Sequence, residues 1–68
     1  MNELQRKALY RIPEAARLLS LSRSVIYELI RSGRLRTVKQ GRARLVPESA
    51  ITEYVSLLER ESREGVAA

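Results

Sequence analysis

The chain contains no cysteine and no histidine. Without cysteine, neither a disulfide nor a thiolate zinc site can staple the fold. Without histidine, the commonest metal ligand and the commonest general base are both missing. No metal site and no cofactor are expected. Glycine is limited to three positions, which form no phosphate-binding loop. Tryptophan and phenylalanine are absent, and the three tyrosines, Tyr10, Tyr27 and Tyr54, are too scattered to make a base-stacking platform. No run approaches the about 18 apolar residues that a membrane helix needs, so no membrane is expected as a partner. The start, MNELQRKALYR, lacks the apolar segment of a signal peptide, and the expected location is cytoplasmic. The glutamates Glu48, Glu53, Glu59, Glu61 and Glu64 have no base or nucleophile beside them, so no enzyme is expected.

What is present is charge of one sign in one place. Thirteen Lys and Arg stand against eight Asp and Glu, a net charge of +5 over 68 residues. From Arg23 to Arg44 the cations are Arg23, Arg31, Arg34, Arg36, Lys39, Arg42 and Arg44, and the one acid is Glu28. The segment after Arg44 is acidic on balance, with Arg60 and Arg63 outnumbered by the five glutamates. A concentrated positive stripe suits a polyanion, and double-stranded DNA is the natural partner. The plain alternative is a solvated basic surface.

The length allows one small domain, whose core rarely supplies more than about 3–5 kcal/mol. No internal repeat or long linker divides it. Residues 1–8 read as a flexible N-terminus, 9–60 as the domain and 61–68 as a flexible C-terminus. Ala8–Ile12 leans apolar and ends at Pro13, which should hold Ile12 in an extended conformation. Pro13 and Glu14 suit a first helical turn, and the first helix reads Pro13–Leu19, with Ala15, Ala16, Leu18 and Leu19 as its apolar members. Leu19–Ser22 is a turn in which Leu21 plugs the corner between two helices. Ser22 is a good N-cap for a second helix, Arg23–Ser32. Val25, Ile26, Leu29 and Ile30 form its apolar stripe, and Gly33 its left-handed C-cap. Leu35–Lys39 reads as a strand, Gln40-Gly41 as a hairpin turn and Ala43–Val46 as the return strand; alternation does not decide which face is core. Pro47 opens the last helix, in which Ala50, Ile51, Tyr54, Val55 and Leu58 should pack on the first two helices, with fraying from Glu59 onward.

Two helices joined by a short turn, the second capped, make a helix-turn-helix. The fold class is therefore mainly α with a small β-hairpin wing, a winged helix-turn-helix. Side chains near the start of such a second helix touch base edges in the major groove. On this one the candidates are Ser22, Arg23, Ser24, Tyr27, Glu28 and Arg31. Arginine can grip a guanine edge, glutamate can accept from cytosine, and the serines and Tyr27 can reach phosphate. Glu28 can instead pair with Arg31 three positions on. Lys39, Arg42 and Arg44 on the wing suit the minor groove or its phosphates. The alternative for the wing is an edge hairpin kept soluble by charge.

With these residues in view, the chain from Tyr10 to Leu58 resembles the excisionase family of small winged helix-turn-helix proteins, related to the DNA-binding domain of MerR-like regulators. The resemblance rests on Ile12, Glu14-Ala15-Ala16, Leu19 and Ser22, then Gly33 and Leu35, then Gly41, Arg42, Arg44, Val46 and Pro47. It implies a recognition helix in the major groove and a wing at the minor groove. Relatives act as recombination directionality factors: they bind repeated sites beside an attachment site, bend the DNA and favour excision by a partner integrase. Others are small transcriptional regulators. An integrase is thus an expected partner. Head-to-tail self-association on DNA is a further expectation, from the opposite charges of the centre and the last helix. The expectation is also that the long dimerisation helix and effector domain of MerR-like regulators are missing. Where many relatives carry an aromatic in the wing, Ala43 and Leu45 stand here. A different class of function, a protein adaptor using the acidic last helix from Glu48 to Glu64, stays open.

Overall fold

The structure is a computed structural model, and it describes residues 7–64. The expected flexible ends lie mostly outside these residues. Strand β1 (Leu9–Arg11) leads into helix α1 (Ile12–Leu19), a turn and helix α2 (Arg23–Arg31); strands β2 (Val38–Gln40) and β3 (Ala43–Pro47) and helix α3 (Glu48–Arg63) follow. This is the mainly α, winged helix-turn-helix architecture, with one addition. The sheet has three antiparallel strands in the order β1-β3-β2, because Leu9–Arg11 pairs with the far edge of β3. Pro47 is tolerated at the end of β3, where the missing amide hydrogen costs the ladder least. The next amide, Glu48 N, donates to the Ala8 carbonyl at 2.9 Å and carries the pairing one step further.

Helix α1 begins one residue earlier than Pro13 suggests. Arg11 is extended (φ −76°, ψ 162°) and Ile12 is the first helical residue. The restriction imposed by Pro13 is overcome because Ile12 is buried there. The Glu14 carboxylate also reaches back to accept from Arg11 N at 2.9 Å, and it pairs with Lys7. Those two contacts hold the Glu14 carboxyl below its ordinary value, Lys7 contributing more than the Arg11 amide. At the other end the chain turns at Ser20, in the left-handed region at φ 60°. Ser20 N donates to Arg17 O and Leu21 N to Ala16 O, which closes the helix and aims Leu21 at the core.

Ser22 caps α2, its Oγ accepting from Val25 N at 3.2 Å. Gly33, at φ 85°, lets the chain leave α2 in the same way: Gly33 N donates to Ile30 O and Arg34 N to Leu29 O. The hairpin turn falls one residue later than Gln40-Gly41. Gln40 pairs with Ala43, so Gly41 and Arg42 form the two-residue loop, and Gly41 at φ 62° supplies the first position of a type II′ turn. The predicted strand from Leu35 is also shorter, because Leu35 is spent on the core instead.

The core gathers Ile12, Ala15 and Ala16 from α1, Ile26 from α2, Leu35 from the loop, Val46 from β3, and Ala50 and Tyr54 from α3. Tyr10, Leu19, Leu21, Leu29, Ile30, Ile51 and Leu57 pack around it. Three expected members are displaced. Val25 sits one residue, about 100°, round from the fully buried Ile26, which takes it off the seam, and it is 41% exposed. On α3 the inward stripe is Ala50, Tyr54 and Leu57, so Val55 and Leu58 are exposed. Helix α3 does not fray at Glu59 but continues to Arg63, where Glu61 is held by a basic partner described below.

Candidate nucleic-acid interface

Ile26 defines the inward direction of α2, and Leu29 and Ile30 flank it. At about 100° per residue, Ser24 and Glu28 then lie two positions either side of Ile26 and point away from the core. Arg31 and Tyr27 share that outer half, and Tyr27 is 51% exposed. Arg23 stands at the flank, closer to the protein. Ser22, at the N-terminus, uses its oxygen as an acceptor within the cap, which leaves its hydroxyl hydrogen free to donate outward. All six are exposed. Val25 joins them as an exposed apolar side chain that periodicity alone assigned to the core.

The wing is placed by register. Lys39 lies opposite Arg44, and Val46 opposite Tyr10, so these four share one face of the sheet. Val46 is fully buried, which makes this the core face and answers what alternation left open. Lys39 and Arg44 continue it beyond the end of the core, where both are exposed. Like charges directly opposite one another on a sheet are destabilising. Among the described residues no carboxylate relieves them; Arg44 Nη1 donates to Thr37 Oγ1, at 3.5 Å. Arg42 stands on the tip of the turn.

The seven cations of the central stretch divide into two groups. Arg34 Nη2 donates to both carboxylate oxygens of Glu61, at 3.0 and 3.2 Å. Arg36 Nε donates to Glu53 at 3.0 Å and its Nη2 to Ser49 Oγ at 3.3 Å. Glu61 holds the Arg34 guanidinium above its ordinary pKa, with Tyr54 adding to it, and Glu53 does the same for Arg36. These two arginines therefore strap α3 to the loop between α2 and β2. Arg23, Arg31, Lys39, Arg42 and Arg44 form no ion pair among the described residues. Glu28 forms none either, so the suggested pair with Arg31 is not made. Glu28, Arg31 and Ser32 instead line a shallow hollow of about 300 Å³ on the outer side of α2.

A capped helix behind a tight turn, with a β wing following it and unpaired cations on both, defines a winged helix-turn-helix. Residues 9–56 match the family described as the helix-turn-helix domain. The chain is 38% identical over 55 residues to a "Probable excisionase" of Saccharopolyspora erythraea, covering 81% of this chain and 56% of that protein. It is 39% identical over 44 residues to an "Excisionase" of Streptomyces ambofaciens, covering 65% of this chain and 71% of that protein. No solved structure matches. The chain belongs to the helix-turn-helix excisionase family. The relation to MerR-like regulators is carried by the sequence resemblance alone. Among the described residues no helix is long and apolar enough to cross a membrane.

Proposed function

We propose that this chain is a sequence-specific DNA-binding accessory protein of site-specific recombination, an excisionase that binds and bends DNA near an attachment site and so promotes excision by an integrase. The observation that carries this is the division of the arginines. Acidic side chains of α3 neutralise Arg34 and Arg36, while Arg23, Arg31, Lys39, Arg42 and Arg44 keep their charge on α2 and the wing. An unrelieved Lys39–Arg44 pair carries a folding cost that a phosphate removes on binding. Ser22, Arg23, Ser24, Tyr27, Glu28 and Arg31 face the major groove in this arrangement. Lys39, Arg42 and Arg44 take the minor groove and its phosphates. Copies on neighbouring sites meet head to tail, the acids left unpaired among the described residues at the end of α3, Glu59 and Glu64, beside a neighbour's basic face. The two excisionase relatives support recombination over the second reading, a small transcriptional regulator of the same fold. The adaptor reading loses ground because Glu53 and Glu61 are already engaged within the chain.

The test is a supercoiled plasmid carrying the two attachment sites of the source element, incubated with its integrase. Excision should depend on this protein and fall when Arg42 and Arg44 are replaced by alanine. Excision at full rate without the protein contradicts the proposal, as does repression of a promoter with no effect on recombination.

A further inference from the structure

Glu28 is the only acid between Arg23 and Arg44, and it points straight out from the core on the helix proposed to enter the groove. A carboxylate there is repelled by every phosphate it approaches, whatever the sequence. Its position is not explained by stability, since among the described residues the Glu28 side chain makes no ion pair and no hydrogen bond, while its backbone carbonyl accepts from Ser32 N. It borders the same hollow as Arg31, one helical turn on, with Cβ atoms of such pairs about 5–6 Å apart. Glutamate accepts from the cytosine amino group, and arginine donates to the guanine edge. Adjacent base pairs present those groups at a spacing two such side chains can span.

We infer that Glu28 is the specificity-determining residue of the interface. With Arg31 it reads a cytosine and a neighbouring or paired guanine, and on all other sequences it weakens binding by repelling the backbone. The inference rests on the reading of α2 as the recognition helix, and it adds a role opposite in sign to that of the cations. Where cytosine stands, its amino group compensates the carboxylate. Where it does not, the carboxylate is left desolvated beside phosphates, and the complex dissociates. Arg23, on the flank of α2, contributes charge without this selectivity.

The experiment selects bound duplexes from a randomised pool with the wild-type protein, then measures Kd by fluorescence anisotropy for the wild type and Glu28→Gln. Three duplexes are used: the selected one, the same one with its cytosine·guanine pair replaced by thymine·adenine, and one of alternating A and T. Circular dichroism melting confirms that the exposed substitution leaves the fold intact. The wild type should prefer the selected duplex over the replaced one by roughly 5- to 150-fold. Glu28→Gln should lose most of that preference and bind the alternating duplex more tightly than the wild type does. An unchanged preference, or weaker binding of Glu28→Gln to all three duplexes alike, overturns the inference. Absence of salt-dependent binding by the wild type to any duplex would instead overturn the DNA-binding reading beneath it.

Discussion

Ser20 holds a left-handed conformation that an L side chain adopts at a cost. It does so because both Ser20 N and Leu21 N must reach back to close α1, and no glycine is supplied there. Ser20→Gly should therefore raise stability by about 0.5–1 kcal/mol in urea denaturation, the larger unfolded-state entropy of glycine offsetting part of the relief. Leu35 and Leu21 illustrate what a sequence does and does not disclose about a single residue. Leu21 is legible as a corner plug, because an apolar residue in a polar turn has little else to do, and it packs on the core edge. Leu35 reads as a strand residue, yet it is 1% exposed and plugs the core from a loop. Its role depends on the path of the chain after Gly33, which no local pattern encodes. Leu35→Ala should cost about 2–5 kcal/mol, and the half-buried Leu21→Ala about 1–2 kcal/mol, by the same denaturation. Equal losses would mean that the burial ranking is wrong. Glu14 makes a pH prediction. Its folded pKa lies below the ordinary 4.5, so its contribution is present above that value and is lost as pH falls through the lowered one. The melting temperature of Glu14→Gln should fall short of wild type near neutrality, and the gap should close in acid.

At the scale of elements, the helix ends and turns are the most legible parts. Ser22 as cap, Gly33 as terminator and Gly41 in the hairpin all act through φ angles and one or two hydrogen bonds, which are local. The third strand is not legible in this way. Leu9–Arg11 is too short to announce itself, and it exists because β3 offers an unpaired edge far along the chain. The fate of Arg34 and Arg36 was hidden for the same reason. Counted along the sequence they belong to the basic stripe; in the fold they bind Glu61 and Glu53, 27 and 17 residues away. The basic stripe as a whole is legible in the sequence, but not which of its cations the fold already pairs; the candidate cations Arg23, Arg31, Lys39, Arg42 and Arg44 are the ones left over. This distinction is measurable. Replacing Arg42 and Arg44 by alanine should flatten the salt dependence of DNA binding by about one unit per lost phosphate contact. Replacing Arg34 and Arg36 should leave the slope unchanged while lowering the melting temperature, because it unstraps α3. A reversed pattern would move the interface to the loop.

For the molecule as a whole, the arrangement separates two tasks by charge. The acids of α3 secure the helix to the loop between α2 and β2 through Arg34 and Arg36, which the proposed interface does not use. Among the described residues the remaining cations stay unpaired on α2 and the wing, where, on the proposed function, a duplex supplies the missing negative charge. With so small a core, a chain that binds DNA as proposed gains stability by mass action, and its melting temperature should rise in the presence of duplex. The most direct measurement of the central claim is a titration of isotopically labelled protein with duplex DNA at low salt, followed by nuclear magnetic resonance. Amides of Ser22–Arg31 and Lys39–Arg44 should shift together, while those of Thr52–Leu58 on α3 stay in place. If the shifts instead gather on α3, or the α2 and wing amides stay unmoved, the account is contradicted.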